Sequence, residues 1–242
     1  MLAQGPPAHT TQLNGRDVAT ASDRLDDDQI EGLVGTLASP RDRARFQMRF
    51  NKVLPLVLLG LLALPVGGST AASAQTLDPG VKITSVQLSA QPMIYVTATI
   101  SMAEIPAFMG TAFTTLDQFL NTSGVTALGP PMAIYHDWSG DKTAVDVGFP
   151  VSSPDAAKAG GGVLAGMTPN GYALKVVHIG PYEEFPAIYA AIGAAMKEAG
   201  IPDSARMWEV YLSEPGVTPA AELVTEIYSQ VAAEDAAKFP AE

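Results

Sequence analysis

Two stretches of this chain are near copies of one another. Glu104-Ile-Pro-Ala-Phe108 is matched by Glu184-Phe-Pro-Ala-Ile188 at an offset of 80. Gly124 and Tyr135 are matched by Gly200 and Tyr211 at an offset of 76, and Val145-Asp-Val147 by Thr225-Glu-Ile227 at 80 again. A repeat constrains the fold because each copy must form the same unit and leaves the same bare face to be covered. The drop of four in the offset is about one helical turn, so the first helix is expected to be one turn longer.

The repeated unit reads β-α-β-β. In the first copy, "VKITSVQLSAQPMIYVTATIS" is rich in β-branched residues and reads as one strand or a bent pair. Ser101 and Glu104 stand at capping-box spacing. Ile105, Phe108, Met109, Ala112, Phe113, Leu116 and Leu120 then recur at helical period, and Gly124 closes the helix. "PMAIYHDW" and "KTAVDVGFPV" follow as strands around the polar turn Ser139-Gly140-Asp141. In the second copy, residues 172–178 are a strand, and Phe185, Ile188, Tyr189, Ile192 and Met196 form the helical stripe. Gly200 and Pro202 stop that helix, and "RMWEVYLSE" and "AELVTEIYSQV" are the last strands. "AKAGGGVLAGMTPNG" is expected to be a linker between halves at about 81–151 and 163–231.

One unit alone is a three-stranded sheet with one helix. Two copies can bury their bare faces together. The expected fold is α+β: duplicated βαββ units with pseudo-twofold symmetry around a central ligand cleft. Seams of this kind are where small-molecule pockets usually form.

The first third of the chain reads differently. Residues 53–66, "VLPLVLLGLLALPV", are an uncharged apolar run of 14. A membrane-spanning helix needs about 20 residues of this kind. Arg41, Arg43, Arg45, Arg49 and Lys52 precede the run, and the small-residue box Ala72-Ser73-Ala74 follows it. Basic, apolar, then small is the plan of a secretory signal. Residues 48–74 are therefore expected to be a signal peptide, with Met48 as the initiator. Residues 1–47 are expected to be a disordered upstream extension, and residues 75–242 the exported domain. Membrane contact is expected only if the signal stays uncleaved. No cysteine follows the apolar run to take a lipid.

Charge divides along the same line. The 242 residues carry 14 basic and 25 acidic side chains, a net of −11. Residues 1–74 hold seven of each, which leaves 7 basic and 18 acidic for the exported part. That balance argues against a nucleic-acid partner and tolerates a cationic ligand. The absence of cysteine excludes thiolate metal sites and cysteine nucleophiles. No nucleophile elbow, phosphate-binding loop or dinucleotide fingerprint occurs, and no cofactor or metal is expected. His136 and His178 have no partner at metal-ligand spacing and read as satisfied strand histidines.

"HIGPYEEFPAIYAAI", "MWEVYLSEP" and "ELVTEIYSQV", in that order, resemble the GyrI-like small-molecule-binding domain, also called the bacterial transcription activator effector-binding domain. The resemblance spans about residues 81–231 and is stronger in the second half. It implies a duplicated βαββ fold with a central pocket. In multidrug-sensing regulators of this kind, aromatics surround a buried glutamate and accept lipophilic cations. Other relatives inhibit DNA gyrase, and some hydrolyse cyclopropane-bearing toxins. This chain shows no helix-turn-helix segment and reads as exported, so a role in transcription or at gyrase is not expected.

Glu209 is the first candidate. Strand alternation puts Met207, Glu209 and Tyr211 on one face and Trp208, Val210 and Leu212 on the other. The Trp208 face is expected to pack under the helices and the Glu209 face to line the cleft. A carboxylate among aromatics is costly to bury unless something pairs with it. Glu209 matches Ala133 at the offset of 76, so the fold itself does not need an acid there. Tyr211, Tyr228, Tyr135, Tyr182 and Met207 are the further ligand-binding candidates, and plain core packing is an equally good account of any single tyrosine. Trp208 is read as core. Glu226 and its match Asp146 are read as ordinary solvent-facing acids.

Two functions stay open. The first is a binding module that captures a small amphipathic molecule, with lipophilic cations as candidates, in the periplasm or outside the cell. The alternative is a hydrolase in which Glu209 acts as base or nucleophile and Tyr211 or Tyr228 as acid. An interaction domain for another exported protein is a third possibility.

Overall fold

The structure is a computed structural model and describes residues 81–136 and 141–242. The upstream extension, the signal peptide and most of the Ser139-Gly140-Asp141 turn lie outside the described residues.

Among the described residues eight strands form one antiparallel sheet: β1 Thr84–Leu88, β2 Pro92–Ser101, β3 Met132–His136, β4 Lys142–Pro150, β5 Leu164–Met167, β6 Gly171–Ile179, β7 Arg206–Tyr211 and β8 Val224–Val231. Among the described residues four α-helices accompany them: α1 Ile105–Ser123, α2 Ser153–Ala156, α3 Phe185–Glu198 and α4 Ala233–Ala236. The sheet order is β1-β6-β8-β7-β3-β4-β2-β5. In chain order β2-α1-β3-β4 and β6-α3-β7-β8 run alike, and their strands lie in the sheet as β2-β4-β3 and β6-β8-β7. The two sets meet along β3 and β7, where Ala133 stands opposite Glu209.

The helix ends follow local chemistry. Glu104 accepts hydrogen bonds from the Ser101 backbone N–H (2.9 Å) and hydroxyl (2.7 Å), so the capping box forms, ahead of a short 3-10 turn. Proline occupies the first turn of both long helices, where its missing N–H costs nothing. Gly124 and Gly200 have φ values of 60 and 66 degrees. This is the left-handed conformation that stops each helix. α1 has 19 residues and α3 has 14, in line with the extra turn.

Three expectations change. The first long β-rich stretch is two strands rather than one, but the two are not neighbours in the sheet. Its two strands separate at 89–91: β1 pairs with β6, while β2 pairs with β4 and β5. The glycine-rich joint is not wholly a linker either, because Leu164–Met167 forms an edge strand on β2, from Pro92↔Met167 to Tyr95↔Leu164.

The third change concerns the faces of the sheet. Met109, Ala112, Phe113, Leu116 and Leu120 of α1 share one core with Phe185, Ile192 and Met196 of α3. That core also holds Ala133, Tyr135, Val145, Val147, Phe149, Tyr211 and Ile227. The helices therefore cover the Glu209 face, and Trp208 lies on the opposite one. The physical reason is that the inner stretch of β7, Trp208 to Tyr211, is buried on both faces. A strand buried on both sides carries no polar-out alternation to read.

Candidate functional site

β7 sits at the middle of the sheet, so every odd-numbered side chain from Met207 to Tyr211 points at the helices. Glu209 is only 4% exposed. Tyr211, two residues along the same strand, donates its hydroxyl to Glu209 Oε2 at 2.5 Å. Tyr135, on the neighbouring strand, donates to the same oxygen at 3.2 Å. The Tyr189 hydroxyl reaches down from α3 to donate to Oε1. Both carboxylate oxygens are thus held by phenols from three elements. Among the described residues no lysine, arginine or histidine forms an ion pair with Glu209.

This arrangement sets the protonation chemistry. Burial raises the Glu209 carboxyl above its ordinary range. The hydrogen bonds from Tyr189, Tyr211 and Tyr135 offset only part of that rise. The three phenols are pushed well above their usual range, first by burial and then by the adjacent Glu209 charge. The result is a carboxylate without a counter-ion inside an aromatic, water-poor space. A cation is the species that such a group attracts most strongly.

The other candidates separate clearly. The Tyr182 ring meets Tyr211 edge-on at 5.9 Å and Phe185 at 5.2 Å, which puts it beside the carboxylate without a hydrogen bond to it. Burial and the Glu209 charge also push its phenol up. Met207 stands opposite Tyr135 on the same face and is half-buried. Tyr228 does not join the group. Its register partner on β7 is Trp208, whereas Glu209 pairs with Ile227. A displacement of one residue sends Tyr228 to the opposite face. There it stacks on Trp208 at 5.1 Å with 9° between the rings and donates to Glu226 at 2.7 Å.

Glu226 and Asp146 are not ordinary solvent-facing acids. Glu226 lies 3.4 Å from the buried Lys175 ammonium. Asp146 is 2.8 Å from His136 Nε2. Burial pushes the Asp146 carboxyl up, and hydrogen bonds from His136 and Thr97 overcome this and hold it below its usual range. His178 Nε2 is 3.3 Å from the Pro181 carbonyl. Tyr189 is the site residue that the sequence pattern concealed. It recurs at helical period with Phe185 and Ile192. Only its polar tip, which must find a partner when buried, sets it apart from core.

A family model, the GyrI-like small molecule binding domain, matches residues 82–232, more than half of the chain. The chain belongs to this family. The GyrI-like fold also appears in solved structures. The EcmrR C-terminal domain is 17% identical, with a TM-score of 0.53 over 62% of this chain and 97% of that one. EcmrR in its complex with DNA is 18% identical, with a TM-score of 0.54 over 63% of this chain and 57% of that one. SAV2435 bound to tetraphenylphosphonium is 13% identical, with a TM-score of 0.50 over 64% of this chain and 96% of that one. No curated protein sequence matches the chain.

Proposed function

We propose that this GyrI-like domain binds a small amphipathic cation whose positive charge sits against Glu209, with Tyr135, Tyr182, Tyr189, Tyr211 and Met207 around it. The observation that carries the reading is a buried carboxylate held only by phenols. A cation supplies the missing counter-charge, and a structural neighbour bound to a lipophilic cation supports that ligand class. Glu209 is closed off from water. The ligand therefore takes the place of Tyr189, which requires α3 to move away from the sheet. The domain acts outside the cytoplasm, on the strength of the basic, apolar, small-residue order of residues 41–74. Its role there is that of a scavenger, buffer or sensor rather than a transcription factor.

Thermal melting with tetraphenylphosphonium tests this reading. A ligand at a hundred times its Kd stabilises a protein by about 2.7 kcal/mol, or roughly 5–10 °C for a domain of this size. Glu209→Gln is expected to remove the shift, and an equal shift in both proteins contradicts the proposal. Mass spectrometry of the mature chain tests the export reading, with a start at Gln75 expected. A hydrolase reading is supported by the raised Glu209 carboxyl, which suits a general base. It loses Tyr228 as acid, and the raised Tyr211 phenol is a weak proton donor. Turnover of an electrophilic probe that disappears in Glu209→Gln would favour it.

A further inference from the structure

β8 runs beside β7, and its Thr225, Ile227 and Ser229 stand opposite Tyr211, Glu209 and Met207 on the helix-covered face. Ile227 is core. Thr225 and Ser229 are 0% and 1% exposed, and neither hydroxyl oxygen has a hydrogen-bond partner. Leaving a buried polar group unpaired costs about 1–3 kcal/mol, and folded proteins keep few such groups.

The first unit shows that the backbone does not require these hydroxyls. At the offset of 80, Thr225 matches Val145 and Ser229 matches Phe149, both apolar and buried. The settings are alike: Val145 faces Tyr135 as Thr225 faces Tyr211, and Val147 faces Ala133 as Ile227 faces Glu209. Three positions therefore turn from apolar to polar between the units: Ala133 to Glu209, Val145 to Thr225 and Phe149 to Ser229. The three polar members all lie on β7 and β8, on one face of the sheet.

We infer that Thr225, with Ser229 on the other side of Ile227, is a second polar anchor of the ligand site. The ligand is then a cation that carries its own hydrogen-bonding group, such as an amino alcohol or an amide-bearing amine, with its hydrocarbon part turned toward Val145, Val147 and Phe149. A cation clothed only in hydrocarbon leaves both hydroxyls unpaired. The inference rests on Glu209 being the ligand's counter-charge. Thr225 and Glu209 are diagonal neighbours on adjacent strands, about 7–8 Å apart, a distance one small ligand can bridge between two inward-reaching side chains.

The test compares N-methylephedrine, its counterpart lacking the hydroxyl, and tetraphenylphosphonium by calorimetric titration. The full chain is compared with Thr225→Val, which keeps the β-branched shape. The native protein is expected to bind the amino alcohol about tenfold tighter than its counterpart, equivalent to about 1.4 kcal/mol. Thr225→Val is expected to shrink that preference to about twofold or less and to leave tetraphenylphosphonium affinity unchanged. Ser229→Ala should act in the same direction. Without ligand, Thr225→Val is expected to melt at the native temperature or above it, because an unpaired hydroxyl has been removed. A preference unchanged in Thr225→Val overturns the inference. So does a lower melting temperature without ligand, which would mean that the hydroxyl already holds a structural water. Tetraphenylphosphonium binding with no discrimination between the amines, or with neither amine binding, overturns it and leaves the Glu209 reading standing. Failure of all three cations overturns both.

Discussion

At the centre of the sheet Ala133 faces Glu209, two positions matched by the sequence repeat. On the Ala133 side the helix-covered face continues through Val145, Val147 and Phe149, and α1 lies close against β2 and β4. On the Glu209 side the same face carries a carboxylate and two hydroxyls, and α3 reaches the strand through Tyr189. One half is thus packed as an ordinary core and the other as a polar wall. The specific chemistry lies where the second half departs from the first. Element order and strand pairing are alike in the two halves, and the buried polar groups differ.

The sharpest way to break this contrast is Ala133→Glu, which sets a second acid directly opposite Glu209 at a fully buried position. An uncompensated buried charge costs about 3–5 kcal/mol, and chemical denaturation is expected to show at least that loss at neutral pH. Next in size is Leu116→Ala in α1, at a fully buried site. Cavities of this kind cost about 2–5 kcal/mol, and the loss should appear in urea unfolding with ligand binding otherwise intact.

Tyr189→Phe is expected to be milder. It leaves Glu209 Oε1 without its phenol. Losing one partner of a buried hydrogen bond costs about 1–3 kcal/mol, and the lower end is expected here because the other oxygen keeps two phenols. Its informative readout is a further rise of the Glu209 carboxyl, because one of the bonds holding it down is gone.

The smallest effect is the pH dependence of the native protein. A carboxyl raised in the folded state binds more protons folded than unfolded. Stability contributed by Glu209 is therefore full at low pH. It falls as pH climbs from the ordinary value of 4.5 through the raised folded one. Melting curves of the native protein should show this decline relative to Glu209→Gln, in which it is absent.

Much of the fold was legible because its cues are local. The capping box at Ser101, the prolines in the first helical turns and the left-handed glycines at 124 and 200 each act within a few positions of the chain. Destinations were harder. β1 and β2 follow one another closely, yet they pair with strands far along the chain, and nothing local marks that choice. β5 was hidden by Gly166 within it and the three glycines at 160–162 ahead of it. Of the candidate residues, Glu209, Tyr211, Tyr135 and Met207 share one face of the sheet, and the Tyr182 ring packs against Tyr211 from a 3-10 turn. Tyr228 was misplaced because strand register turns on a single residue. The helix-facing side of β7 was misjudged because both sides are buried.

The proposed ligand is a cation held by the ionised form of Glu209. Titration of tetraphenylphosphonium by calorimetry across the pH range above 4.5, on the native protein and on Glu209→Gln, tests it most directly. Native affinity is expected to climb with pH through the window in which Glu209 ionises and then level off, while the glutamine variant stays weak throughout. Equal affinities at every pH, or a native affinity that falls as the carboxylate forms, would contradict it.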